Sequence, residues 1–257
     1  FQRLMRVFRK TAPAAELPRF EAEAAGLAAL RATACVRVPE VAAVGIVAGQ
    51  ACIDLEHLDL AGLDRHSGAA LGRQLAELHR HTSERFGWPG DNWIGGTPQQ
   101  NDRQREWPLF FARSRLQPQL KRAAGNGMAR ALVEQGEALA GRLAAFFVDY
   151  PPQPSLLHGD LWSGNAAALP DGTPVIFDPA AYYGDREADL AMSELFGGFP
   201  ESFYAAYRLA WPLDPGYETR KTLYNLYHVL NHYNLFGAGY LNQARRMIEK
   251  LLAELRG

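Results

Sequence analysis

The spacing of apolar residues changes character near residue 58. In residues 18–31, Phe20, Ala24, Leu27 and Leu30 recur on one face of a 3.6-residue period and predict a helix. Residues 1–10 are basic and β-compatible. Residues 36–38 and 41–47 are rich in valine and isoleucine, and Gly49-Gln50 reads as a turn into a strand over 51–55. Beyond Leu58 the pattern is mostly helical. Leu71, Leu75 and Leu78 predict one helix, and Leu132, Gly136, Leu139, Leu143 and Phe146 another. Between them, residues 87–118 are rich in Trp, Gly, Pro, Asn and Gln and read mostly as a loop leading into a short aromatic helix. After residues 151–154, where prolines cluster, Leu156-Leu157 and residues 175–177 predict short buried strands flanking a polar loop. Residues 187–255 return to helical spacing. The expected fold is α+β and bilobal, with a small β-rich lobe over residues 1–58 and a larger, mostly helical lobe over 59–257.

Composition narrows the class. Hydrophobic residues make up 47% of 257, enough for a packed core and too many for a disordered chain. Lys plus Arg is 27 against 28 for Asp plus Glu, a net charge of −1 that gives no general attraction to nucleic acid or an anionic membrane. Cys35 and Cys52 are the only cysteines, which excludes a disulfide framework and a cysteine-rich zinc site. No apolar run approaches the roughly 18 residues of a spanning helix, and no signal peptide is visible, so a cytoplasmic protein is expected. The first residue is Phe rather than Met, in a segment that reads as mid-strand, so further residues upstream are expected.

The chemistry lies in residues 155–192. HGDLWSGN runs from His158 to Asn165, and IFDPA from Ile176 to Ala180. Phosphoryl transfer from ATP needs a carboxylate beside the acceptor hydroxyl, oxygen ligands for Mg²⁺ and a cation on the phosphates. Asp160, Asn165 five residues on and Asp178 at the end of a second strand match this need and resemble the protein-kinase pattern. Asp160 is then the catalytic carboxylate, and Asn165 and Asp178 hold the metal. A lone Asp in a glycine-containing turn is usually a turn residue; three polar residues at this spacing, bracketed by strands, argue for chemistry. His158 reads as a structural residue of the loop. Arg186, Glu187 and Asp189 read either as buried ion pairing that fixes it or as direct participants in catalysis.

Lys10 supports the same reading. The chain carries 23 Arg and 4 Lys, and Lys10 is the only Lys before Lys121. A compact ammonium suits a phosphate contact. Glu23, in the following helix, is the expected partner of that ammonium, with Glu21 as competitor. Trp162, two residues after Asp160, is placed to wall the acceptor site. His228 and His232 are four apart on a helix, but the stretch between them lacks the Glu of a zinc-hydrolase motif.

These segments together resemble the fructosamine-3-kinase (ketosamine-3-kinase) family. The resemblance rests on HGDLWSGN, on FDPAAYYGDREADLAM over 177–192 and on LFGGF over 195–199. LPRFEAEAAGLAAL over 17–30, LGRQLAELH over 71–79, the IGGTPQQN run ending at Asn101 and YHVLNHYNLFG over 227–237 add to it. It covers the chain from about Val7 to its end and implies a protein-kinase-like, aminoglycoside-phosphotransferase-like fold that uses ATP and Mg²⁺. It also implies that backbone groups at Glu56 to Leu58 meet the adenine, and that His232, on a helix facing the acceptor pocket, contacts the substrate. The implied acceptor is a ketosamine, free or on a glycated protein, phosphorylated on its third carbon; the unstable product releases the amine, a deglycation. Three departures stand out. The glycine-rich hairpin expected before Lys10 is not in this sequence, Arg9 occupies a usually apolar position, and Asp185 stands where His is expected.

Two rivals remain. A kinase for aminoglycosides or another small alcohol calls for an acidic acceptor lobe, yet residues 201–257 carry five acidic and seven basic residues. A catalytically inactive nucleotide-binding module would typically have lost one of Asp160, Asn165 and Asp178, and all three are present. Oligomeric state is not legible.

Overall fold

A computed structural model of the chain describes residues 6–256; the first half of the strand expected over residues 1–10 lies outside them. Strand β1 (Val7–Pro13) leads through a 3₁₀ turn into helix α1 (Leu17–Ala32), followed by the hairpin of β2 (Val41–Val47) and β3 (Gln50–Glu56). The three strands form an antiparallel sheet in the order β1-β3-β2, with Lys10 and Val44 both opposite Ile53. α1 buries Phe20, Leu27 and Leu30 against this sheet, as their spacing requires.

The hairpin turns one residue earlier than expected. Ala48 and Gly49 take positive φ of 50° and 79°, the geometry of the two-residue turn whose twist matches antiparallel strands, and Gln50 already pairs with Val47. Residues 36–38 do not form a strand. Arg37 makes a single parallel bridge to Val175, and Pro39, without an N–H, follows at once.

The larger lobe begins with α2 (Arg65–Leu78), capped by Asp64, whose carboxylate accepts from the Ser67 amide at 2.7 Å. Residues 87–118 are more ordered than expected. They hold a hairpin of β4 (Asn92–Ile94) and β5 (Thr97–Gln99), then α3 (Trp107–Phe111), a π-helical turn and the start of α4 (Gln117–Gly125). The hairpin's buried positions include Asn92, Thr97 and Gln99, so no hydrophobic alternation marks it. The helix expected through Phe146 stops sooner: α5 (Arg130–Ala140) gives way at Gly141 to a 3₁₀ turn.

Two short ladders follow. β6 (Ser155–Leu157) pairs with β9 (Tyr182–Gly184), and β7 (Ala166–Ala168) with β8 (Pro174–Ile176), both antiparallel. Helices α6 (Glu187–Leu195), α7 (Glu201–Ala210), α8 (Tyr217–Phe236) and α9 (Leu241–Glu254) complete the lobe. One apolar cluster joins Leu27 and Ile53 to Leu71, Leu75 and Phe203; another gathers Trp107, Phe110, Leu230 and Ile248. Among the described residues, no helix is long and apolar enough to cross a membrane.

Candidate active site

The polar loop after β6 is held by its own backbone. His158 is fully buried; its Nδ1 accepts from the Asp160 amide at 3.3 Å, so Nε2 carries the proton and donates to the Phe177 carbonyl at 2.9 Å. Burial holds this imidazole's pKa below its ordinary value. One side chain thus ties the residue preceding Asp178 to Asp160 itself. The structural role expected of His158 matches this geometry. Gly159 takes φ +84°, and a Cβ there would lie 2.1 Å from the Ala180 carbonyl oxygen, so only glycine fits.

Beneath the loop, Asp189 of α6 accepts from the amides of His158 at 2.7 Å and Gly159 at 2.8 Å, and pairs with His79 Nε2 at 3.2 Å. Burial acts to raise its pKa, but the hydrogen bonds it accepts from His79 and the Gly159 amide hold it below the usual carboxylate value. The neighbouring Glu187 instead pairs with Arg220 at 2.7 Å, and Arg186 donates to the Trp211 and Pro212 carbonyls. Asp185 accepts from Tyr150 at 2.9 Å and from Tyr224.

Asp160 is half-buried at the floor of a cleft. Asn165 Nδ2 donates to its carbonyl at 2.9 Å and to Oδ2 at 3.2 Å. Burial pushes the Asp160 carboxyl up to about 7, the Asn165 hydrogen bond opposes this, and the charge of Asp178 adds to it. Because the Asn165 amide nitrogen is spent on Asp160, its Oδ1 is left as an oxygen donor. The Phe177 amide donates to the Asn165 carbonyl at 3.0 Å, which brings Asp178 alongside; Asp178 itself takes φ +55°, a strained backbone for a non-glycine residue. An amide oxygen and a carboxylate side by side are hard donors of the kind Mg²⁺ takes, so these residues fit the ion.

Lys10 closes the site from the other lobe. Its Nζ lies 2.7 Å from Glu23 Oε1 and 2.5 Å from Asp178 Oδ1. Burial alone would lower its pKa, yet these carboxylates hold it above the ordinary value, while burial raises Glu23. Glu21 is exposed, so Glu23 is the partner of Lys10. Arg9 sits opposite Asp54 in the β1–β3 ladder and pairs with it at 2.6 Å, which accounts for an arginine at that strand position.

Two cavities of about 350 Å³ each meet at Lys10 and Asp178. One is lined by Asp160, Trp162, Asn165 and Glu23; the other by Phe8, Leu55, Glu56, Leu58 and Phe177. The Glu56 carboxylate is engaged by Arg37 and by the Glu40 amide at 3.2 Å, and its own amide donates to the Glu40 carbonyl at 2.7 Å. His232 does not line either cavity. It stands one ring behind, with its centroid 4.7 Å from Phe196, which in turn lies 6.2 Å from Trp162. Arg19, Asn92 and Trp93, which the motifs do not single out, also line the first cavity. For the last two, the signal in the sequence is Gly95-Gly96 between two short runs, a hairpin turn pair.

The sequence model of the fructosamine kinase family matches residues 2–254. The chain belongs to that family. A Synechocystis protein named as a probable ketoamine kinase is 47% identical over 249 residues, covering 95% of this chain and 82% of its own. A solved structure from Haemophilus somnus, named as a putative fructosamine-3-kinase, superposes with a TM-score of 0.89 at 32% identity, over 97% of this chain and 84% of that one. Choline kinase LicA of Streptococcus pneumoniae shares the fold at a TM-score of 0.66 and 14% identity, over 97% and 87% of the two chains. The protein is therefore a phosphotransferase acting on an alcohol group, with the bilobal kinase-like fold expected from its motifs.

Proposed function

We propose that this protein transfers the γ-phosphoryl group of ATP to the 3-hydroxyl of a ketosamine, fructosyl or ribulosyl, borne by a small amine or a glycated protein. Family membership supports the substrate class. The observation that carries the site assignment is the convergence of Asp160, Asn165, Asp178 and the Lys10–Glu23 pair on one cleft. In this reading residues 1–58 form the nucleotide lobe and 59–257 carry the catalytic loop and acceptor site. The cavity beside Glu56 and Leu58 takes the adenine, between Phe8, Leu55 and Phe177. Lys10, oriented by Glu23, contacts the phosphates.

Asn165 Oδ1 and Asp178 would hold Mg²⁺, which neutralises charge on the phosphates when bound. Asp160 orients the acceptor hydroxyl and takes its proton; a carboxylate whose proton affinity is raised by burial is a better base for that step. Because the transition state of such transfers is loose, positioning and charge neutralisation supply most of the acceleration. A cytoplasmic setting fits a repair activity on glycated amines.

ADP release with Mg-ATP tests this, against fructosyl-lysine, ribulosyl-lysine, kanamycin and choline. Turnover on a ketosamine alone is the expected outcome. Turnover on kanamycin or choline instead would discard the substrate assignment while keeping the catalytic set.

A further inference from the structure

We infer that Trp93, together with Trp162, forms the subsite that recognises the charged amine of the acceptor, and that the β4–β5 hairpin is the element that sets acceptor specificity. The inference rests on the ketosamine reading above. A ketosamine nitrogen is a secondary amine, protonated near neutral pH, and only three carbons separate it from the hydroxyl that reacts. A cation must therefore be accommodated in the same cleft as Asp160.

The charged residues lining that cleft leave little for it. Glu23 and Asp178 both bond Lys10, at 2.7 and 2.5 Å, and Asp160 is committed to the hydroxyl proton. Lys10 and Arg19 are themselves cations. The remaining large side chains in the lining, Phe20 apart, are the two indoles. A cation over an aromatic face is attracted by the ring's negative quadrupole, most strongly by tryptophan. Trp162 is folded over its own loop: a Cβ at Gly164 would lie 2.2 Å from the indole. That fixes one wall two residues from Asp160.

Trp93 is the other wall, and its support is unusually rigid. It is half-buried between two fully anchored neighbours on β4, Asn92 and Ile94. Asn92 Nδ2 donates to the Ala181 carbonyl at 2.8 Å, and Gln99 Nε2 donates to Asn92 Oδ1 at 2.8 Å. Tyr227 donates to Gln99 Oε1 at 2.7 Å, and Asn101 Nδ2 to Asn92 Oδ1 at 2.8 Å. Arg115, with no exposed surface, donates to Asn101 Oδ1 at 2.8 Å and to the Gln100 carbonyl at 2.6 Å. β4 also packs against α1, the helix that carries Glu23, and Gly95 and Gly96 approach Leu235 of α8. A buried polar network of this extent fixes position rather than adding apolar stability. The residue it presents to the cleft is an indole, preorganised so that little entropy is lost when a ligand is bound.

The test compares a ketosamine with its N-acetyl counterpart, in which the nitrogen is neutral, both at saturating Mg-ATP. In the wild type kcat/KM should favour the ketosamine by about tenfold or more. Trp93→Leu should raise KM for the ketosamine by about tenfold and KM for the neutral counterpart far less, so that the preference collapses. Trp93→Phe, which keeps a π face, should retain part of it. An unchanged KM for Mg-ATP checks that the variants are folded. Equal effects of Trp93→Leu on both acceptors, or none on either, would overturn the inference. Absence of ketosamine turnover in the wild type would overturn the reading on which it rests.

Discussion

The carboxylate of Asp189 accepts the backbone N–H of Gly159 at 2.8 Å, from a side chain that is 1% exposed. It accepts the His158 amide at 2.7 Å as well, so a single buried charge organises two successive peptide groups directly before Asp160. This is positioning: Asp189 lines neither of the two cavities, yet the loop that carries Asp160 hangs on it.

Replacing Asp189 by Asn therefore removes one charge-assisted acceptor and turns an amide nitrogen toward a donor. The expected cost is about 2–4 kcal/mol of stability, with kcat falling more than KM for either substrate. The sign of its pH dependence follows from a pKa held below the ordinary 3.8. The stabilisation is present above that value and lost as pH falls through the native pKa. Urea unfolding of the wild type and Asp189→Asn between pH 7 and pH 3 should show the two converging at low pH.

Asp160 has the opposite sign. Its carboxyl is raised from 3.8 to about 7 in the native state, so ionising it costs stability that is absent below about 4, develops between 4 and 7 and is fully felt above. Asp160→Asn should lower kcat by about 10²–10⁴ and leave nucleotide affinity nearly unchanged. In chelator-treated, metal-free protein the same variant should melt higher than wild type at pH 8, by about 2–4 °C for each kcal/mol gained, and match it near pH 4. Retained turnover in Asp160→Asn would remove Asp160 from its assigned role.

Lys10→Met removes the ammonium shared by Glu23 and Asp178, leaving two carboxylates facing one another across the cleft. KM for Mg-ATP should rise by about tenfold or more, with a further loss in kcat. Glu23→Gln keeps a hydrogen-bond acceptor for Lys10 and should have a smaller effect in the same direction. Steady-state kinetics in ATP at saturating ketosamine distinguishes them; equal KM in all three proteins would exclude the phosphate contact.

Gly159→Ala should behave as a severe lesion at an inconspicuous position. Its φ of +84° and the 2.1 Å approach to the Ala180 oxygen leave no room for a methyl group. We expect a loss of about 3 kcal/mol or more, and displacement of the Ala180 backbone that follows Asp178. Thermal unfolding compared with Gly90→Ala, where the space is open, checks it.

The proposed catalytic residues are legible because phosphoryl transfer restricts them to a few residue types at close spacing on one loop. Asp160, Asn165 and Asp178 need no long-range information, and the rarity of lysine singles out Lys10. The competition between Glu21 and Glu23 cannot be resolved that way, since both lie on α1; burial of one and exposure of the other decides it. The β4–β5 hairpin escapes a reading of hydrophobic pattern because its inward positions include amides and a threonine. Burial of its amides is stabilised by hydrogen bonds to α8 and to the loop after Asp178. His232 shows the reverse limit: a helix whose sequence matches the family still places a given side chain one ring behind the cavity wall.

Residue type and local spacing were enough to separate a β-rich from a helical region, to find the loop that bears the chemistry and to recognise the family, since each of these is written in short stretches of chain. Which carboxylate holds Lys10, which buried aspartate holds the catalytic loop and which tryptophan of an unmarked hairpin reaches the cleft emerged only once the chain was folded. Each of those depends on burial and on partners far away in the chain, and no local pattern records either.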